Sequence, residues 1–449
     1  MSRPRTTKRL RIASLVVGTL LLTVVLLLTI FSPRLTSYIE SDRFRMEMEK
    51  ETAKGLHFPT AHYDPIKRVE TWTAESGGFS ANNGWKALAS IEARGITAKF
   101  NPWGIFLRRW QLDEVRVQSG EVRIQVYEPK PEPSPVKPWY AIFLPDRVYL
   151  SHVESEPVDV TWRFRQKRAG FFGTRLLITP HGRDFEYQGR GGELGMAPFP
   201  RLHLQHTHLL ITKTLLTLYN LDLQSKSEPG GTIHADGRAG TREDKSVDFN
   251  IAVAHMPVQD WLPNEWSGHV AGEAAATIHW QGENAKLEKS RGKASFKLDG
   301  GRIRELQFLQ KLAILTGEKE LERLSVDDCK FEVEWRYPVA DIKNLLIEDR
   351  GKIRAEGQIT FQEKALRGAI ELGVTRRLLD WLPKPEEVFP REHDGYLWTT
   401  VHLSGTFDAP EQDLSPRLIE AIKESPGAGL GILFRGLGAW LENAFGESR

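Results

Sequence analysis

Lys330-Phe331-Glu332-Val333-Glu334-Trp335-Arg336-Tyr337 alternates charged and apolar residues without a break. Successive side chains of a strand point to opposite faces, so this spacing sets Phe331, Val333 and Trp335 on one side and Lys330, Glu332, Glu334 and Arg336 on the other. The stretch reads as a half-buried strand of the antiparallel kind, with one apolar and one wet face. The same period returns in Val247, Phe249, Ile251 and Val253. It is present again in Val122, Ile124 and Val126, which alternate with Glu121, Arg123, Gln125 and Tyr127 behind Val115 and Val117. The spacing predicts a mainly β chain.

Working outward, the chain repeats itself. Asp236-Gly237-Arg238-Ala239 is followed, 23 residues after its glycine, by Asp260-Trp261-Leu262-Pro263. Glu356-Gly357-Gln358-Ile359 is followed at the same interval of 23 by Asp380-Trp381-Leu382-Pro383, an offset of 120 between the copies. Thr277-Ile278-His279-Trp280-Gln281-Gly282 and Thr400-Val401-His402-Leu403-Ser404-Gly405 close the two segments. A duplicated β unit is the reading, set against the resemblance that strand-turn sequences share through turn chemistry alone.

Helical spacing is confined to a few places. Leu35, Tyr38 and Ile39 lead into a charged stretch that ends at Lys54-Gly55, where the glycine is expected to cap the helix. Leu306, Leu309, Leu312, Ala313 and Leu315 predict an amphipathic helix over Ile303 to Leu324. Leu418, Ile419 and Ile422 form a short helical face. Leu430, Leu433, Leu437, Trp440 and Leu441 form another, a candidate membrane-binding or partner-binding helix. Its three glycines, Gly431, Gly436 and Gly438, mean that it needs a surface to fold upon.

Ahead of all this lies an apolar run from Ile12 to Phe31. Twenty residues without a charge rise about 30 Å as a helix, the thickness of a bilayer's hydrocarbon core. The run is full length and ends Ile30-Phe31-Ser32-Pro33 with no small-x-small cleavage pattern, so it reads as a retained anchor. Arg3, Arg5, Lys8, Arg9 and Arg11 precede it, which places the N-terminus in the cytoplasm and the rest of the chain across the membrane.

The balance of charge is informative once the anchor is set aside. Without those five basic residues, 56 of the 61 Lys+Arg remain against 59 Asp+Glu. No basic face is implied, and nucleic acid is not an expected partner. Cys329 is the sole cysteine, so no internal disulfide exists. Pro129 to Pro138 carries five prolines that cannot donate to a ladder and marks a crossing.

Residues that carry chemistry are sparse. On a strand, His206 and His208 share a face while His203 points away, and no nearby carboxylate or cysteine completes a zinc site. Asp327-Asp328 beside Cys329 reads as a solvated turn, with acidic neighbours that do not activate a thiolate. Gly191-Gly192, Gly230-Gly231 and Gly300-Gly301 read as turns. There is no nucleophile elbow, phosphate loop, His-Glu-x-x-His or Cys-x-x-Cys. No catalytic, cofactor or metal residue is assigned, and a non-enzyme is expected.

Three stretches resemble the AsmA-like family of Gram-negative envelopes. They are Ala53-Lys54-Gly55-Leu56 with Ile91-Glu92-Ala93-Arg94-Gly95-Ile96 and Trp110 to Val117; Gly300-Gly301-Arg302-Ile303-Arg304-Glu305-Leu306; and Ala355 to Phe361 with Leu366-Arg367-Gly368 and Leu403 to Pro410. The resemblance implies a single N-terminal transmembrane helix followed by an elongated, curled antiparallel β-sheet groove with a few amphipathic helices. It implies an inner-membrane protein with most of its chain in the periplasm, and membrane lipids, phospholipid first, as partners beside possible envelope proteins. The expected organisation is a basic segment 1–11, the transmembrane helix 12–31, an N-terminal β region 32–128 and the Pro-rich crossing 129–138. A middle β region 139–290 carries the first repeat copy, a C-terminal β unit 291–413 the second, and amphipathic helices fill 414–449. Candidate groove lining is Val122, Ile124, Val126, Phe249, Ile251, Val253, Phe331, Val333 and Trp335.

Three readings of function follow. In the first, an apolar β groove binds or conducts lipid and serves outer-membrane lipid homeostasis. In the second, an envelope assembly factor acts through sheet edges without carrying lipid. In the third, a membrane-anchored hydrolase holds a site that sequence does not reveal. From sequence, the same apolar faces serve a closed core as well as an open groove.

Overall fold

The computed structural model describes residues 36–423, except 71, 102, 107–109, 126–147, 165, 182–183, 198, 213, 228–229, 241–244, 262–267, 284–286, 305–322, 381, 383 and 407–409. The expected anchor Ile12 to Phe31, Val126, the Pro-rich crossing and the helix from Leu430 to Leu441 lie outside the described residues. Among the described residues no helix is long and apolar enough to cross a membrane. The chain is mainly β and divides into two compact units, 1–198 and 199–449. The division falls inside the expected middle region 139–290.

In the first unit a helix, Asp42–Leu56, precedes β1 (Thr60–Tyr63), β2 (Ile66–Glu70), β3 (Thr73–Asn82), β4 (Leu88–Phe100) and β5 (Trp110–Ile124). Ser41 caps the helix, its hydroxyl accepting from the Phe44 amide at 3.3 Å. The stop differs from expectation. Gly55 is helical, and His57 takes the left-handed position at φ 64° while its amide donates to Lys54 O. Histidine tolerates that conformation better than bulkier residues do. The helix turns Phe44, Met48 and Ala53 onto the sheet, where Phe44 and Met48 meet Ile39 and Ala74, and Ala53 meets Phe58, Phe79 and Ala81.

β1 and β2 pair with β3, β3 with β4 and β4 with β5, all antiparallel. The expected all-antiparallel sheet then gives way. β6 (Val148–Leu150), β7 (Val153–Ser155) and β8 (Val158–Phe164) run parallel to β5. Parallel neighbours require a crossover, and residues 126–147 connect the two. β9 (Lys167–His181) returns antiparallel along β7 and β8, followed by β10 (Asp184–Arg190) and β11 (Glu193–Gly195).

A change of facing crosses this sheet at one level. Ser76, Ile96 and Val117 are register partners on one side of it, and Gly78, Arg94 and Ser119 on the other. Inward positions run Ala74, Ser76 and then Phe79, Ala81 on β3, and shift in the same way on β4, where Gly95 sits at φ 61°. A left-handed residue inside a strand is a bulge geometry that suits glycine. Gly95→Val puts a β-branched side chain there and against Gln118. Urea unfolding of this variant is expected to show a loss of about 1–3 kcal/mol.

The second unit is an antiparallel succession of neighbours. It comprises β12 (Leu202–Ile211), β13 (Leu215–Gln224), β14 (Thr232–Gly240), β15 (Ser246–Pro257), β16 (Val270–Glu283) and β17 (Arg291–Arg304). β18 (Arg323–Val326) and β19 (Asp328–Arg336) both pair with β17, before β20 (Val339–Asp349), β21 (Ile353–Gln362), β22 (Ala365–Thr375) and β24 (Tyr396–Gly405). Two short strands, β23 (Arg391–His393) and β25 (Pro410–Gln412), add to β24. The helix expected over Ile303 to Leu324 does not begin or end as expected. Ile303 and Leu324 are strand residues facing each other across β17 and β18, and residues 305–322 between them lie outside the described residues. Gly300-Gly301 lies within β17 and is not a turn, although Gly300 takes φ 58°.

The two repeat segments share an element order. β14 and β15 lead to a 3-10 turn, Val258–Asp260, then Trp261 and β16. β21 and β22 lead to a 3-10 turn, Arg376–Leu379, then Asp380 and, after the one-turn helix Pro385–Val388, β24. At the second turn Leu378, Leu379, Leu382, Val388, Phe389 and Leu397 build a buried core, closed by Ala421 and Leu418 of the helix Leu414–Lys423. Arg417 fastens that helix to β24, donating to Thr399 Oγ1 at 2.9 Å and Thr400 O at 2.7 Å.

Candidate functional site

Two apolar surfaces stand out, one in each unit. In the first unit the helix Asp42–Leu56 does not pack flush on the sheet. Between them lies a cavity of about 850 Å³ lined by Phe44 and Met48 of the helix, Ile91, Ala93, Ile96 and Ala98 of β4, Val115 and Val117 of β5, and Phe185 of β10. Interiors ordinarily hold few voids larger than a water molecule. The cavity opens to solvent beside Trp85, and its mainly apolar lining suits an apolar occupant better than water. Two polar side chains of the lining, Tyr63 and Ser76, are engaged. The Tyr63 hydroxyl lies 3.3 Å from Thr52 Oγ1, and burial pushes its phenol above the ordinary value, so it stays neutral. Ser76 Oγ donates to Asp64 O and Gly78 O, both at 3.0 Å.

In the second unit the register lines apolar residues up across the whole sheet. Leu221 pairs with Ala235, Ala235 with Ile251, Ile251 with Ile278, and Ile278 with Ala294. Ala294 then pairs with Val333, Val333 with Ile342, Ile342 with Ile359, and Gly368 and Leu403 complete the row. Aromatic rows flank it. Phe249 stacks on Trp280 with centroids 6.1 Å apart, Phe296 on Phe331 at 4.8 Å, and Gly292 separates Trp280 from Trp335. Phe249, Ile251, Val253, Phe331, Val333 and Trp335 thus share one face. All six are half-buried and none is buried. In a two-layer core such positions lose nearly all exposure. Here they keep part of their exposure, while the same face is closed toward one end, where Phe296 packs against the buried cluster of Ala274, Leu298, Val326 and Cys329, and Ala235 within the row is buried. The row crosses ten strands; at about 4.8 Å per step it follows a contour of about 43 Å. Monomeric surfaces seldom leave so continuous an apolar patch without a use.

One residue along each strand, the opposite face is polar throughout. Asp236, Asn250, His279, Lys293, Glu334, Asp341, Thr360 and Arg367 are successive register partners. Lys293 lies 2.7 Å and Lys343 2.5 Å from the Glu334 carboxylate, and these hydrogen bonds, Lys293 first, lower its pKa to about 2. Because the folded value is depressed, the pairing is complete above the ordinary glutamate value. It is lost as pH falls through about 2. NMR titration is expected to find Glu334 ionised at about pH 4, and Lys293→Ala to return it toward an ordinary carboxylate.

The remaining candidates in the first unit are distributed. Val122 sits opposite Ile91 on the cavity-bearing face, beyond the cavity itself, and Ile124 ends β5 opposite Leu88 with 39% of its surface exposed. Sequence reasoning missed the helix residues Phe44 and Met48 and the β4 residues Ile96 and Ala98. The signal was the odd-to-even shift between Val117 and Val122, which marks the change of facing. His206 and His208 lie in β12 with ring centroids 6.4 Å apart, and His208 packs on Tyr219. Among the described residues no three His, Cys, Asp or Glu side chains gather as a metal site. Cys329 is buried, and burial followed by the Asp328 charge pushes its thiol upward, away from the reactive thiolate. Compared with known protein families, with curated proteins and with solved structures, the chain matches none.

Proposed function

We propose that this chain is a non-enzymatic, inner-membrane-anchored envelope protein of the AsmA-like type. It binds or conducts lipid along an apolar β groove and contributes to outer-membrane lipid homeostasis. The anchor is Ile12 to Phe31, and the bulk of the chain lies in the periplasm. The observation that carries this reading is the continuous, half-buried apolar row through Ile251, Ile278 and Val333, backed by a polar row one residue away. Such a surface shelters acyl chains while headgroups stay hydrated, at about 0.8 kcal/mol per methylene removed from water. The sequence carries no phosphate-loop motif, so directed movement of lipid would need another protein.

The test is to purify the full chain, analyse it by native mass spectrometry for bound lipid, and place photocrosslinkers at Ile251 and Val333. Phospholipid captured at both positions is the expected result. Capture of a protein there with no lipid would favour the assembly-factor reading instead.

A further inference from the structure

The geometry points to a separate single-lipid site in the first unit: the cavity beneath the helix Asp42–Leu56 holds the acyl chains of one diacyl lipid, with its headgroup at His57, Trp85 and Lys86. This rests on the lipid-binding reading above but uses different residues, and the two stand or fall separately. The second unit offers an open face along which a chain slides. The cavity has a helix on one side and strands on the other, which holds a chain in place.

Size and chemistry select the occupant. A methylene needs about the room of a water molecule, roughly 30 Å³, so 850 Å³ takes on the order of 28 methylenes, about fourteen from each of two chains whose ends reach the open side. The volume also falls within the range of about 300–1,000 Å³ usual for ligand pockets. Most of its lining is apolar, Met48, Ala93, Ile96 and Ala98 among it. Polar lining comes from the end of the helix, at Glu51, Thr52, Lys54 and the capping His57, and from Tyr63, Glu75 and Ser76 of the strands. Trp85 lines the cavity while 53% exposed, so the cavity reaches the surface there, and its amphipathic ring suits the boundary between chain and headgroup. Lys86 Nζ stands 3.0 Å from His57 Nε2, and Gln125 holds that turn by donating to Gly84 O and Lys86 O at 2.6 and 2.8 Å. The imidazole lines the cavity and the cation stands beside it, where a phosphate headgroup would lie.

The full chain in lipid nanodiscs is irradiated with a diacyl phospholipid carrying a diazirine in one acyl chain, and adducts are mapped by peptide mass spectrometry. Adducts are expected on Met48 and Ile96 as well as on the second unit's apolar row. Ala98→Trp, which fills the cavity, is expected to cut the first-unit adducts at least tenfold and leave those of the second unit unchanged. Ala93→Phe fills the same space from a neighbouring position, and thermal unfolding shows which variants are folded. Adducts confined to the second unit, or first-unit adducts undiminished in the folded variants, overturn the cavity site and leave the sheet reading standing. Adducts confined to Met48 and Ile96 support the cavity and overturn the sheet reading, and adducts at neither overturn both.

Discussion

Ile251→Glu and Val333→Glu are each expected to reduce lipid capture by the second unit at least a hundredfold while leaving the protein folded. Both side chains are half-buried and keep part of their surface exposed. In the lipid-free chain a carboxylate at either position remains in water, and the folding cost is about 1 kcal/mol, ordinary for a substitution outside a closed core. Once acyl chains lie over the row, the same carboxylate is desolvated without a partner. A penalty of several kcal/mol follows, and every 1.4 kcal/mol is a factor of ten in affinity. Native mass spectrometry reads the lipid and urea unfolding reads the stability. The pair of measurements discriminates sharply. If the rows closed on a second layer, these substitutions would bury an unpaired charge and unfold the unit; lipid retained at wild-type levels would remove the groove from consideration.

Trp398→Ala is expected to have the largest effect on stability, about 3–5 kcal/mol. Trp398 is 3% exposed, and its ring stacks on His393 with centroids 4.6 Å apart and planes 9° from parallel. Its indole nitrogen donates to His393 O at 3.1 Å, which ties β23 to β24. Gly373 provides the space beneath it, since an added Cβ would stand 2.8 Å from the ring. The neighbouring Leu397 points the other way into the core around Leu379 and Phe389. The first four residues of β24 are therefore buried on both faces, unlike the middle strands of the same unit. Thermal unfolding of Trp398→Ala beside Phe331→Ala checks the contrast: the half-buried Phe331 is expected to cost distinctly less, and equal losses would mean that the middle of the sheet is as closely packed as its end.

Some of this was legible in the residues. The alternation set Phe249, Ile251 and Val253 on one side of their strand and Phe331, Val333 and Trp335 on one side of theirs, and the register brings the two sets to a common face. Strand period is a covalent property, so it survives any arrangement of neighbours. The alternation did not distinguish the parallel β5–β8 pairing from an antiparallel one, because both have the same period. Helical spacing over Ile303 to Leu324 misled at its ends, where Ile303 and Leu324 continue a ladder. Ladder hydrogen bonds from a neighbouring strand outweigh local propensity.

The cavity was the least legible feature. Met48 and Ile96 are far apart in the chain, and each by itself is an ordinary apolar residue of a helix or strand. By itself the sequence determined which side of each strand is apolar, where the chain repeats, and that no familiar catalytic motif is present. Whether an apolar side is covered, half-covered by a helix that leaves room beneath it, or left open was decided only by the tertiary structure. Covering depends on what distant segments bring to the face, and that is a matter of packing rather than of period.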